Sequence, residues 1–210
     1  MSNETPTQKK SFPTPQVISG NRSKDSLPEL VSHFVHAGIT NIVIQKGCYD
    51  FGNPLTNIAE AHKKCIRHAK RQNWDFCIIL EDDVLFLHPK AYQYFIDQMK
   101  DLPKDWDVYT AGFYTANSFV QDYKNIYRIS GFAGLHLYCV NSNYYDHFLK
   151  CPENTNIDQW ISGSNGNAKS FCCYPFAAIQ KSGFSENRMQ DVDYSKLLEG
   201  KEIFTGQKFS

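Results

Sequence analysis

The stretch from Gln16 to Ile44 narrows the fold of this chain more than any other. Gln16-Val17-Ile18-Ser19 reads as a short strand that stops at Gly20-Asn21-Arg22. Asp25 or Ser26 then caps a helix with Pro28 in its first turn. Leu27, Leu30, Val31, Phe34 and Val35 recur at the spacing of one buried helical face. Gly38 ends that helix, and Ile39 with Asn41-Ile42-Val43-Ile44 forms a second strand closed by Gly47. Strand, helix and strand in about 30 residues make a βαβ unit, which demands two parallel strands joined by a right-handed crossover.

The alternation continues. A loop at Tyr49–Pro54 leads into a helix from about Thr56 to Gln72, with Ile58, Cys65, Ile66 and Ala69 inward. Its other face carries Lys63, Lys64, Arg67, Lys70 and Arg71 and reads as solvated; the competing role is attraction of an anionic acceptor. Phe76-Cys77-Ile78-Ile79-Leu80 is apolar throughout, as in strands buried on both faces of a parallel sheet. A helix from about Pro89 to Met99 and a strand at Asp107–Phe113 follow. Beyond residue 114 the pattern turns β-rich, through Tyr127-Arg128-Ile129, Leu135–Val140 and Ser170–Tyr174, with short helices near Asn143–Leu149 and Asp158–Ser162. The expected organisation is a flexible leader at 1–15, one α/β domain at 16–190 with a mainly parallel sheet flanked by helices, and a tail at 191–210.

Composition excludes several classes. With 22 basic and 22 acidic side chains the chain lacks the positive balance of a charge-driven nucleic-acid binder. Its longest apolar run is far shorter than the roughly 20 residues a membrane helix needs, and Met1–Pro15 lacks the apolar core of a signal peptide. Seven cysteines, an odd number without ligand-like spacing, fit a reducing compartment. The expected location is cytoplasmic.

The sharpest chemical feature is Glu81-Asp82-Asp83, three carboxylates directly after the buried strand. Ligands of open α/β sheets bind beyond the carboxyl ends of the strands, and carboxylates placed there need water, donors or a cation. Glu81 and Asp83 share a side if the chain stays extended, a pair suited to Mn²⁺ or Mg²⁺. The plainer reading is a solvated turn.

Ile78-Ile79-Leu80-Glu81-Asp82-Asp83-Val84 resembles the D-x-D-type segment of glycosyltransferases with the GT-A fold, most closely glycosyltransferase family 25, the lipopolysaccharide-biosynthesis type. Gly134–Asn141, Asn156–Trp160 and Tyr174–Ser185 resemble later segments of that family. The family's opening motif and its glycine-cysteine segment before the helix are replaced here by Val17–Arg22 and Asn53–Asn57. The resemblance implies a Rossmann-like GT-A domain with a β-rich C-terminal acceptor half. It implies transfer of a sugar, with inversion, from a nucleotide-sugar donor (a UDP-sugar) to a hydroxyl of a glycan, a protein or a modified DNA base. Glu81 and Asp83 would hold the cation, and Ser19, Asn21, Arg22, Gln45, Lys46, Asn57 and Asp82 the donor. Asp158 would be the general base, with Asp146 and Asp191 in reserve, and Trp160 would stack on the acceptor. Tyr114, Phe119, Tyr123 and Tyr127 could form an acceptor platform or belong to the core; Gly163–Asn167 could be a lid or a connector. His136 reads as a core histidine rather than a ligand. Two further classes remain: a non-catalytic glycan- or nucleotide-binding module, and nucleotidyl transfer, which the lack of a glycine-rich basic phosphate loop disfavours.

Overall fold

The computed structural model describes residues 12–20, 27–185 and 190–206. The helix cap expected at Asp25 or Ser26 lies outside these residues. In chain order the elements are β1 (Gln16–Ser19), α1 (Leu27–His36), β2 (Val43–Lys46), α2 (Pro54–Arg71), β3 (Phe76–Glu81), β4 (Val84–Leu85), α3 (Ala91–Gln98), β5 (Val108–Thr110), β6 (Ser118–Tyr123), β7 (Ile126–Ser130), β8 (Leu137–Asn141), α4 (Tyr145–Phe148), α5 (Ile157–Ser162), β9 (Ser170–Cys173), β10 (Ile179–Gln180), β11 (Gly183–Ser185) and β12 (Gln190–Val192). Eight strands form one sheet in the order β2-β1-β3-β8-β5-β9-β7-β6. β1 pairs in parallel with both β2 and β3, which confirms the βαβ unit. β8 inserts antiparallel between β3 and β5, and β7 runs antiparallel to β9 and β6. The remaining strands share one direction, so the sheet is mainly parallel with two reversed members.

Helices cover both faces. Along β3, Cys77 and Ile79 enter the layer formed with Cys65, Ile66 and Ala69 of α2, Phe148 of α4 and Ile161 of α5. Ile78 and Leu80 enter the opposite layer with Leu30 and Phe34 of α1 and Phe95 of α3. Successive strand residues point to opposite faces, so a strand covered on both sides must be apolar at every position. Helix α2 starts where Asn53 accepts the Leu55 and Thr56 N–H groups and Pro54 occupies the first turn. None of the seven cysteines is in a disulfide, and six are buried. No helix among the described residues is long and apolar enough to cross a membrane.

Three expectations are corrected. Residues 12–15 of the expected leader pack onto the fold, with Pro13 and Pro15 buried and the Phe12 ring edge-on to Phe76 at 5.2 Å. The segment from 191 is not a free tail. β12 pairs with β11, Phe204 stacks on Tyr94 at 4.3 Å, and Leu198 is buried. Lys63 does not belong to a solvated basic face either. It is buried and donates to Glu60 at 2.8 Å, while Arg67 pairs with Glu60 and Lys70 with Asp146. Two of the helix's cations are thus paired by its own Glu60 and a third by Asp146 of α4.

Candidate active site

β1 and β3 end side by side, Ile18 opposite Glu81, and β8 runs back from the same edge. A cleft of about 350 Å³ opens there, lined by Gly20, Asn57, His62, Tyr114 and the four carboxylates Glu81, Asp82, Asp83 and Asp158, with Gln180, Ser185 and Tyr194 closing one side. It lies where the sheet rule places a ligand.

The triplet does not behave as an extended strand. Glu81 is the last residue of β3 and its N–H donates to the His136 carbonyl. Asp82 and Asp83 then form a turn before β4, so the extended-chain condition does not hold, yet Glu81 and Asp83 both line the cleft. Glu81 Oε1 lies 3.3 Å from His62 Nε2. Asp82 Oδ2 accepts the Gly20 N–H at 2.7 Å, and Asp83 Oδ2 accepts from the Gln180 side chain, brought alongside by the β4–β10 pair. Burial, then the charges of Asp82 and Asp158, push the Glu81 carboxyl up to about 8. Burial pushes His62 down to about 4, partly opposed by Asp158. Burial thus disfavours the charged form of both partners of this contact. His62 also meets the Tyr138 hydroxyl at 2.7 Å through Nδ1.

Asp158 opens the first turn of α5 and faces the cleft. Its Oδ2 accepts the Gly134 N–H at 3.0 Å and its Oδ1 accepts the Gln159 N–H at 2.7 Å. Burial raises its pKa more than these bonds and His62 lower it. Asn57 lines the cleft and accepts the Phe51 N–H at 3.1 Å.

Other expected residues lie elsewhere. Asn21 and Arg22 fall outside the described residues. Ser19 and Lys46 end their strands near the cleft without lining it. Gln45 is buried and its amide donates to Gln16 at 2.8 Å, which makes it a core residue. Trp160 sits two residues after Asp158 in α5, about 200° around a helix, and so faces away. It stacks on His147 at 5.9 Å, outside the cleft lining. Asp146 is exposed on Lys70, and Asp191 is exposed in β12. Phe119 and Tyr127 stack with each other at the far edge of the sheet, and only Tyr114 of that expected aromatic platform reaches the cleft. His136 is fully buried with Nε2–H donating to the Ala178 carbonyl at 2.9 Å, as a core histidine. His62 was legible in principle, as a titratable residue interrupting the apolar face of α2.

The chain is therefore an α/β protein of Rossmann-like architecture with an acidic cleft at its strand ends. No protein-family model matches the sequence, and no match to a curated protein was found. Among solved structures it is similar to A197 from STIV, with 11% identity over 85% of this chain and 93% of that one at a TM-score of 0.48. It is similar also to a glycosyltransferase involved in the glycosylation of the major capsid of PBCV-1, with 15% identity over 78% and 83% at 0.47. A third is CMP:2-keto-3-deoxy-manno-octonic acid synthetase complexed with CTP, with 11% identity over 77% and 89% at 0.49. At these values the likeness is one of architecture, and the functional reading rests on the cleft.

Proposed function

We propose that the cleft binds a nucleotide-sugar donor together with Mn²⁺ or Mg²⁺ and transfers the sugar, with inversion, to a hydroxyl acceptor. The carrying observation is a charge imbalance. Four carboxylates and no lysine or arginine line the cleft among the described residues. A diphosphate entering such a site meets repulsion unless a cation accompanies it.

The donor set fits that role. No group of three or more His, Cys, Asp or Glu side chains among the described residues converges at metal-binding distance. Mg²⁺-type ions are commonly held by one or two carboxylates, with water and phosphate oxygens completing the shell. Glu81, Asp82 and Asp83 all line the cleft, Asp82 engaged by Gly20 and Asp83 by Gln180, and a bound cation would offset the burial that disfavours the Glu81 carboxylate. Such an ion, when bound, screens the diphosphate and stabilises it as a leaving group.

The chain's own residues then have defined tasks. Asp82, fixed on Gly20, ties the turn after β3 to the end of β1. Asp158, aimed by two backbone N–H groups, takes the acceptor proton as the acceptor oxygen bonds to the anomeric carbon and the carbon–phosphate-oxygen bond breaks. Its raised pKa makes it a better base than an exposed aspartate.

Calorimetric titration of UDP with and without Mn²⁺ tests the proposal. Binding is expected only with the metal, weakened at least about tenfold in Asp82→Asn, a variant whose amide oxygen can still accept the Gly20 N–H. Equal binding without metal, or none in either condition, overturns the donor reading.

A further inference from the structure

Tyr114 is the residue of the cleft whose chemistry is left over. It is 8% exposed, and among the described residues its buried hydroxyl has no hydrogen-bond partner. Buried hydroxyls are rarely left so, and leaving one costs on the order of 1–3 kcal/mol. The side chain is nonetheless fixed. Its ring stacks on Tyr194 at 4.5 Å, its N–H donates to the Ala133 carbonyl at 2.8 Å, and its own carbonyl accepts from Lys201 Nζ at 2.7 Å. A rigidly held, unsatisfied donor in the wall of a cleft points to an oxygen supplied by a ligand.

The neighbours define that oxygen. The bridge between Thr115 and Ala133 lays the Tyr114 ring against Gly134. A Cβ at Gly134 would come within 3.1 Å of the ring, tighter than ordinary contact, and the backbone there has a φ of 112° that favours glycine. The same Gly134 donates its N–H to Asp158. The Tyr114 ring, which carries a hydroxyl donor, and the Asp158 carboxylate, an acceptor, thus both meet one glycine. An alcohol oxygen accepts from the first while its proton goes to the second. A phosphate or carboxylate offers only acceptors and is repelled by Asp82, Asp83 and Asp158, which line the same cleft.

We infer that Tyr114 and Asp158 form a hydroxyl-binding subsite across Gly134, with Tyr194 as its aromatic support, and that it takes an uncharged sugar as acceptor rather than an acidic glycan or a nucleic acid. This builds on the proposed transfer, because Asp158 is its base.

Ligand-observed NMR titrations test it on the full chain, with Mn²⁺ alone and with Mn²⁺ plus UDP. The probes are the methyl glycosides of glucose, galactose and xylose and, as the charged counterpart, methyl glucuronide. At least one neutral glycoside should bind saturably, and the glucuronide at least about tenfold more weakly. Tyr114→Phe should weaken the neutral glycoside about tenfold while its melting temperature stays equal to or above that of the wild type, because no structural hydrogen bond is lost. Unchanged glycoside binding in Tyr114→Phe, a preference for the glucuronide, or no glycoside binding in either condition overturns the inference. So does a melting temperature several degrees lower, which would show the hydroxyl bonded within the fold. Loss of UDP binding alone in the wild type would sink the donor proposal, and the glycoside titration in Mn²⁺ alone would still decide this one.

Discussion

His136 can carry only one proton without disturbing the fold. Its Nε2–H faces the Ala178 carbonyl, and its Nδ1 is buried with no partner among the described residues. Burial lowers its pKa to about 4, against about 6.5 in the unfolded chain. As pH falls through that window the unfolded chain takes up a proton that the native state refuses. Stability is therefore intact above about 6.5 and lost toward 4, by roughly 3 kcal/mol for this residue alone. Thermal melts at pH 7.5 and 5 should show a lower melting temperature in acid, and His136→Gln should reduce the difference. An unchanged difference would show that other groups carry it. Gly134 makes a second residue-scale case. Its φ of 112° strains any other residue, and a Cβ there would crowd the Tyr114 ring at 3.1 Å. Gly134→Ala should cost on the order of 1–3 kcal/mol and disturb the N–H that aims Asp158. Circular dichroism melts would read the first effect and sugar transfer the second.

At the scale of elements, α2 does most to shape the cleft, since it carries Asn57 and His62 into it while its other contacts anchor the sheet. Its start depends on the Asn53 carboxamide, so Asn53→Ala should destabilise by about 1 kcal/mol, a fall of roughly 2–4 °C in a differential scanning experiment. The inward face of this helix was legible because period 3.6 is written in Ile58, Cys65, Ile66 and Ala69. Lys63 was not, because a lysine turned back onto Glu60 has the same spacing as one in water. The acidic triplet could be located from the apolar run before it. Where its carboxylates point could not, because the alternation rule assumes an extended chain and the backbone turns at Asp82. In the same way Asp158 and Trp160 read as neighbours, yet a helix places them on opposite sides. Tyr114 carried no distinguishing signal among the aromatic residues around it; its role depends on Gly134, twenty positions further along and beside it only in the folded chain.

For the molecule as a whole, the segment after Ser185 is part of the structure. Val192, Tyr194, Leu198 and Phe204 cover Tyr114, Phe176 and Tyr94, and the backbone of Phe176 bonds to Glu202 and Phe204. Removing everything beyond Ser185 should lower the melting temperature by at least about 10 °C, at roughly 2–4 °C per kcal/mol, or leave an insoluble chain. An unaltered melt would show the segment to be an appendage. The parallel half of the sheet followed from the first βαβ unit, but nothing local announces that β8 will be inserted between β3 and β5.

That insertion has a consequence during synthesis. When β3 leaves the ribosome it can pair with β1 on one side only, and its other edge, through Ile78, Ile79 and Leu80, waits for β8. β3 ends at residue 81 and β8 at residue 141, an interval of 60 residues. At roughly 5–20 residues per second that is about 3–12 s. Throughout that interval the nascent chain presents an apolar, hydrogen-bond-ready strand edge. Such an edge is a natural substrate for chaperones, and in their absence for a neighbouring nascent copy on the same message.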